Sequence, residues 1–212
     1  MKKIYFVRHG ATINNHTNLF QDENTELSEL GLGQASYLAA RFVSIEIEAI
    51  ISSSMKRAFQ TAEAVSRVKN IPVQKSDLFV ENLKPQIVRT KSKDDPEVKE
   101  IMKLVKKNFD NPEWKHSSEE NFFDLLERSK KALEFIQNLD EEKILIITHG
   151  QFLTFFVGFL LFGEEYSAAE FKRMEKTFIA KNTGISIVEI LEDKNLLITW
   201  NDHAHLGELD II

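Results

Sequence analysis

Four apolar, β-prone residues, Ile4 to Val7, run without a break into Arg8-His9-Gly10, and the same order returns far downstream. There Lys143-Ile144-Leu145-Ile146-Ile147 leads into Thr148-His149-Gly150. Short apolar runs that end in a turn signal read as buried strands of a parallel sheet. Open α/β sheets hold their ligands beyond the carboxyl ends of the strands. The chain thus sets two histidines and an arginine where such a sheet does its chemistry. The organising expectation is that His9 and His149 meet in space.

Composition narrows what they could meet around. A chain of 212 residues is expected to form one domain, 1–212, with an inserted subdomain. It has no cysteine, so disulfides, thiolate nucleophiles and zinc–thiolate sites are excluded, and a reducing compartment suits it. Met1-Lys2-Lys3 precedes only four apolar residues, too few for a signal-peptide core. The longest apolar run, Phe152 to Phe162, is broken by Thr154 and Gly158 and is shorter than a membrane span. The expectations are a cytoplasmic location and no membrane partner. A formal net charge of −6 argues against a general grip on nucleic acid, and a small anionic substrate would need a locally basic pocket.

Along the chain, strands and helices alternate. A polar loop, Ala11 to Glu26, precedes a helix with Ser28 as N-cap and a face of Leu32, Ala35, Ala39 and Phe42. Glu48 to Ile51 reads as a strand and Ser52-Ser53-Ser54 as a helix start. The helix Met55 to Lys69 carries Lys56 and Arg57 in its first turn, where positive charge opposes the helix dipole. A nearby anion would explain that charge; a solvated pair is the plainer account. Ile71 to Gln74 is a short strand, and Leu78-Phe79-Val80 leads to Glu81.

From about 82 to 116 the character changes. Prolines stand at 85, 96 and 112, and the nine basic residues exceed the six acidic ones by three. Pro96 opens a helix to Lys107 with Ile101, Leu104 and Val105 as its apolar positions. This stretch is expected to be a small helical cap that supplies substrate contacts, although a solvated helix face accounts for most of its lysines. Phe109 and Trp114 are assigned to core or cap packing. A helix from Ser118-Glu119-Glu120 to Leu139 follows. The strand Lys143 to Ile147, an apolar helix from Gln151 to Leu161, and an amphipathic helix from Ser167 to Phe178 come next. A hairpin of Ile185–Leu191 and Leu196–Trp200 closes the fold.

Phosphoryl transfer fits these residues. The transferred group carries negative charge, so catalysis is mostly positioning and electrostatic stabilisation. Arg8 and Arg57 could clamp its oxygens, because a guanidinium stays charged and binds bidentately. A neutral histidine can be the nucleophile if its other nitrogen is held as a donor. A second histidine beside the phosphate adds a hydrogen bond, and a carboxylic acid, for which Glu81 is the candidate, protonates the leaving oxygen. A lone Arg-His-Gly is a weak signal. Two strand–His–Gly sites together with Arg57 and Glu81 at further strand ends are a much stronger one.

At this point the residues resemble the histidine phosphatases, the phosphoglycerate mutase-like superfamily. The similar segments are Val7-Arg8-His9-Gly10-Ala11-Thr12-Ile13-Asn14-Asn15, Leu27-Ser28-Glu29-Leu30-Gly31-Leu32-Gly33-Gln34-Ala35, Ser52 to Ala62 around Arg57, and Thr148-His149-Gly150. The resemblance implies an α/β fold, a three-layer α/β/α sandwich with a mainly parallel central sheet and a small helical cap insertion. It implies that His9 is phosphorylated and that Arg8, Arg57 and His149 complete the phosphate pocket. Glu81 is then the proton donor, and Thr12, Asn15 and Gly150 are substrate contacts. No metal and no cofactor are implied. Two departures stand out. Ala11 occupies a position where many members carry Glu, and Asn82-Leu83-Lys84-Pro85 follows Glu81 in place of the Gly-Asp-Trp-Glu-Gly-like segment of many mutases and broad phosphatases.

The expected function is hydrolysis of a small phosphorylated substrate through a phosphohistidine. The alternatives are a phosphomutase and a non-catalytic phospholigand-binding module. Oligomeric state stays open, with a homodimer one option. His16, in the loop after the nucleophile, is a further candidate for substrate contact, with solvent exposure the plainer reading. Asp202, His203 and His205 sit in a polar tail without a partner cluster for a metal.

Overall fold

The computed structural model describes residues 1–15 and 17–209, the side chains of Asn15, Glu208 and Leu209 aside. Six strands form one mixed sheet in the order β3-β2-β4-β1-β5-β6. They are β1 (Lys2–Arg8), β2 (Ala49–Ser53), β3 (Val73–Ser76), β4 (Lys143–Thr148), β5 (Ile185–Ile190) and β6 (Asn195–Asp202). β3, β2, β4 and β1 run parallel, and β5 and β6 add an antiparallel edge. Six α-helices accompany them: α1 (Glu29–Phe42), α2 (Lys56–Lys69), α3 (Pro96–Lys107), α4 (Phe122–Gln137), α5 (Gly150–Phe162) and α6 (Ala168–Thr177).

The period-2 alternation of β1 builds two cores. Tyr5 and Val7 face α1 and α2, meeting Leu38, Phe42, Ala58 and Val65. Ile4 and Phe6 face α4, α5 and α6, meeting Leu125, Phe152, Phe156 and Phe171. The result is the expected three-layer α/β/α arrangement. It also explains why α5 is apolar all round: it lies under α4 and α6 and buries eight of its residues. Gly158 makes room for that packing, since a Cβ there would stand 2.3 Å from the Tyr166 hydroxyl.

The sheet has its switch point at the centre. The helix after β1 lies on one face and the helix after β4 on the other, and these two strands are neighbours. A crevice opens at their carboxyl ends, where such sheets bind ligands. The parallel register pairs Arg8 with Thr148, so His9 and His149 leave adjacent strands side by side.

Several local expectations are corrected. Leu32 is 51% exposed, and the buried face of α1 is Gly31, Gln34, Ala35, Leu38, Ala39 and Phe42. Leu104 is also exposed; Val98, Ile101 and Val105 form the inner face of α3. α4 begins at Phe122, because Asn121 and Asp124 close a capping box there, four residues beyond the expected start at Ser118. β2 runs on through Ser52 and Ser53, so the serine triplet finishes a strand before α2 opens. Ser167 directs its hydroxyl to the Glu170 carboxylate and leaves the backbone of α6 uncapped by its side chain.

Between Leu83 and Trp114, Val88, Val98, Ile101 and Val105 form a small cluster of their own with Phe20, Met102 and Trp114. Phe20 comes from the loop after β1, and that loop is stitched to the stretch by Phe20 N–H to Lys91 O, Thr90 N–H to Phe20 O and Lys93 N–H to Asn18 O. The loop and the helical stretch thus make one wall.

Candidate active site

Every backbone polar group from His9 to Ala11 has a partner. His9 N–H donates to Thr148 O at 2.9 Å, and its carbonyl accepts from Asn182 Nδ2 at 2.7 Å. Gly10 N–H donates to Thr61 Oγ1 at 3.1 Å, and its carbonyl accepts from His9 Nδ1 at 2.7 Å. Ala11 N–H donates to Gln34 Oε1 at 2.8 Å, and Ala11 O accepts from Ser28 N–H at 2.9 Å. Two glycines permit this. A Cβ on Gly10 would stand 2.7 Å from Gly31 O, and one on Gly31 would stand 1.9 Å from Ala11 O. The first turn of α1 is pressed against the backbone that follows His9, which gives the Leu27–Ala35 segment a physical reason for its Gly and Gln.

The tautomer of His9 follows from these bonds. A carbonyl only accepts, so Nδ1 carries the proton and Nε2 presents the lone pair. Arg57 Nε donates to that Nε2 at 3.2 Å, which is consistent with the same assignment. Arg57 also donates from Nη1 to Asp22 O at 2.7 Å. His149 lies fully buried beside His9, with ring centroids 5.0 Å apart. Its Nε2 meets Ser53 Oγ at 2.8 Å, while its Nδ1 is buried without a partner. Arg8 reaches Ala180 O through Nη1 at 2.6 Å, and its Nε is a second buried nitrogen without a partner. Among the described residues, neither nitrogen has a hydrogen-bond partner, and a buried nitrogen of this kind can donate to an anion.

Electrostatics agree. Burial, then the charges of Arg57 and Arg8, hold His9 well below its ordinary value. Burial, then Arg57, does the same for His149. Both rings are therefore neutral near pH 7, as a nucleophile requires. Burial pushes Arg57 down to about 10, leaving it charged.

Glu81 lies where β4 hands over to α5. Its Oε1 accepts from Phe152 N–H and Asn82 N–H at 2.9 Å each, and its Oε2 from Gln151 N–H at 3.3 Å. A carboxylate is thus set on the N-terminus of α5, where the helix dipole favours it. The segment carrying Glu81 is itself clamped. Arg128 donates to Glu120 at 2.7 Å from both Nε and Nη2, to Val80 O at 2.8 Å, to Leu78 O at 3.1 Å and to Glu81 O at 3.4 Å.

A cleft of about 960 Å³ opens over these groups, lined by Arg8, His9, Arg57 and Glu81 below and by the loop and helical stretch above. Among the described residues, ten lysines and arginines line it against five carboxylates, although the whole chain is acidic. The walls thus provide the locally basic pocket an anionic substrate needs.

The structure brings His9, Arg8, Arg57, His149 and Glu81 together. Thr12 is fully buried and accepts from Gln21 Nε2 at 2.9 Å; it does not line the cleft. Gly150 does not line it either, and its missing Cβ leaves space 3.5 Å from Arg8 Nε. Asn15 places its backbone in the 3-10 turn Ile13–Asn15, and its neighbour Asn14 lines the cleft. The side chain of Asn15 and all of His16 lie outside the described residues. Phe109 belongs both to the core and to the cleft wall. Sequence reading missed Thr61, Asn182, the Arg128–Glu120 pair and the contact of Ser53 with His149. A Glu and an Arg eight apart around the N-terminus of α4, beyond the 82–116 stretch, were the signal available for the Arg128–Glu120 pair.

Comparison with known proteins agrees with this geometry. The family model of the histidine phosphatase superfamily (branch 1) matches residues 4–203, and the chain belongs to that family. A probable phosphatase of Schizosaccharomyces pombe is 28% identical over 210 residues, covering 96% of this chain and 95% of the relative. Phosphoserine phosphatase 1 of Hydrogenobacter thermophilus is 26% identical, covering 98% and 96%. Among solved structures, Bacillus stearothermophilus YhfR shares the fold, with a TM-score of 0.82 at 22% identity over 98% of this chain and all of that one.

Proposed function

We propose that the chain is a phosphomonoesterase that hydrolyses small phosphorylated substrates through a phosphohistidine at His9, without a metal. The observation that carries the reading is the fixed Nδ1–H tautomer of His9, whose Nε2 accepts from Arg57 and whose ring lies beside that of His149 at the floor of a basic cleft. Arg8, Arg57 and His149 bind the phosphoryl oxygens, and Nε2 attacks phosphorus in line. Glu81, whose Oε2 holds only the long 3.3 Å contact with Gln151 N–H, takes up the proton that a phosphomonoester monoanion brings with it. It gives that proton to the leaving alkoxide and then takes one from the attacking water, returning phosphate and free His9. The arginines supply charge stabilisation that would otherwise fall to a cation. Residues 82–116 act as the cap of a single domain, and the site acts in the cytoplasm. The relatives named as phosphatases, including one for phosphoserine, support hydrolysis over the mutase alternative. Thr12 and Gly150 act as supports of the pocket, and Asn15 as a phosphate contact.

The test is hydrolysis of p-nitrophenyl phosphate in the presence of a chelator. The wild type releases phosphate and His9→Ala does not. Activity near wild type in His9→Ala, or activity that needs an added metal, contradicts the reading. Phosphate moved to a second position of the same molecule, with none released, would favour the mutase.

A further inference from the structure

We propose that Ser53 is a positioning residue for the reaction: its hydroxyl donates to His149 Nε2 and so holds His149 as the Nδ1–H tautomer, leaving that one proton to give to a phosphoryl oxygen. The proposal rests on the phosphatase reading of the same site and adds the group that sets its second histidine.

Both side chains are fully buried. β2 lies beside β4 with Ser52 paired to Ile147, so Ser53 and His149 leave adjacent strands at the same end of the sheet. Because β2 runs on through Ser53, its hydroxyl comes to 2.8 Å from His149 Nε2. The three serines of the triplet have separate tasks. Ser52 donates to Ser53 O at 2.8 Å, and the exposed Ser54 donates to the Asp77 carboxylate. Of the three, Ser53 alone meets the ring.

The direction of that bond follows from counting donors and acceptors. Ser53 Oγ accepts from Met55 N–H at 3.2 Å. Its own proton then has His149 Nε2 as acceptor, which requires a lone pair there and puts the ring proton on Nδ1. This arrangement leaves one group without a partner among the described residues, the Nδ1–H. Were Nε2 the protonated nitrogen, the Ser53 proton would have no acceptor and the Nδ1 lone pair no donor. Two buried polar groups would then be unsatisfied in place of one, which is the costlier choice. Burial and the charge of Arg57 keep the ring neutral, so it carries a single proton to be placed.

The placement decides what the ring can do. Neutral histidine in water favours the Nε2–H form. That form would present the Nδ1 lone pair to a phosphoryl oxygen and repel it; the Nδ1–H form donates. His9 is fixed in the same tautomer by Gly10 O, yet the two rings act at opposite atoms. His9 offers its Nε2 lone pair to phosphorus, and His149 its Nδ1 proton to oxygen. The same short segment also steadies the clamp, since Met55 Sδ accepts from Arg57 Nη2 at 3.2 Å.

Histidine side-chain ¹⁵N spectra at about pH 7.5 read the tautomer, with the His149 signals assigned by their loss in His149→Ala. In the wild type Nδ1 is expected as the protonated nitrogen and Nε2 as the bare one. In Ser53→Ala the two exchange character or average. There kcat/KM on p-nitrophenyl phosphate falls by about tenfold or more, the worth of one charge-assisted hydrogen bond, whereas Ser54→Ala stays within about twofold. A double-mutant cycle separates this from a loss through the Met55 amide. In His149→Ala, adding Ser53→Ala should cost less than about twofold, because the ring it acts through is gone. Should Ser53→Ala fail to fold, Ser53→Cys, whose thiol is a weaker donor, is expected to shift spectrum and rate in the same direction by less. A wild-type His149 protonated at Nε2, a spectrum unchanged in the folded variant, or an equal cost with and without His149 overturns the proposal. Hydrolysis by the wild type with any of these results sinks this proposal alone. If the wild type hydrolyses no ester, the phosphatase reading fails and the role of Ser53 in the reaction falls with it.

Discussion

Arg57 Nε lies 3.2 Å from His9 Nε2 and donates its proton to the lone pair that would attack phosphorus. The clamp and the nucleophile thus satisfy each other. An incoming phosphate must take Arg57 onto its own oxygens, and the same movement frees Nε2. Removing the guanidinium therefore costs both phosphate binding and transition-state charge. Arg57→Ala should lower kcat/KM on p-nitrophenyl phosphate by about two to three orders of magnitude, as loss of one oxyanion donor does. Arg57→Lys should recover only part of this, because an ammonium lacks the bidentate fork. Steady-state kinetics on the two variants check it; full rescue by lysine would show that only the charge matters.

Glu81 combines two tasks. As proton donor it should matter most when the leaving alkoxide is a poor one. Glu81→Gln keeps a hydrogen-bonding side chain yet cannot give up a proton. It should lose about 10²–10⁴-fold on an alkyl phosphate and far less on p-nitrophenyl phosphate, whose leaving group needs no proton. Measuring rate against leaving-group pKa distinguishes this from a purely structural effect, which would lower both rates equally.

The Arg128–Glu120 pair fixes the segment that bears both Glu81 and Lys84. Its side chains are only 12% and 11% exposed. Arg128→Gln strands a buried carboxylate and should cost about 3–5 kcal/mol of unfolding free energy. Arg128→Leu combined with Glu120→Leu should cost less than the single change, since no charge is left unpaired. Urea unfolding of the three chains gives the comparison.

Gly31 tests the backbone contact beneath the nucleophile. A methyl group there meets Ala11 O at 1.9 Å, and backbone on both sides has little room to yield. Gly31→Ala should destabilise by about 1–3 kcal/mol and lower activity by moving His9. Gly33→Ala, where a Cβ meets nothing within 4 Å, is the matched control and should be neutral or slightly stabilising.

The two histidines also set a pH dependence. Both are held well below their ordinary value, chiefly by burial. A group whose folded pKa is depressed contributes stability above its unfolded pKa and loses it as pH falls. With an unfolded value of about 6.5, stability should be level above that pH and decline below it. The slope should approach about 2.7 kcal/mol per pH unit if both rings titrate. Denaturant melts between pH 7.5 and 5 check the sign. His149→Gln should roughly halve the slope.

Much of this was legible in the sequence because local pattern and global fold agree. Ile4–Val7 and Ile144–Ile147 are too apolar and too short to be anything but buried strands, and each ends in the residues that form the pocket floor. The faces of α1 and α3 were misjudged at Leu32 and Leu104, since an apolar residue one position off the stripe looks the same in a list of types. The start of α4 was missed because Asn121 caps it, and three acidic or hydroxyl residues just before it mimic a cap. The partners of the site were hidden for a deeper reason. Asn182, Thr61 and Gln34 meet the His9 backbone only after the sheet and α1 have assembled, and nothing in their own neighbourhoods marks them.

The most direct measurement is capture of the intermediate. A ³²P-labelled phosphomonoester is mixed with the enzyme, quenched within milliseconds in alkaline denaturant and mapped by peptide. The account predicts label on His9, stable to base, labile to acid, and absent from His9→Ala. Turnover with no label on any residue, or label on a side chain other than His9, would contradict it.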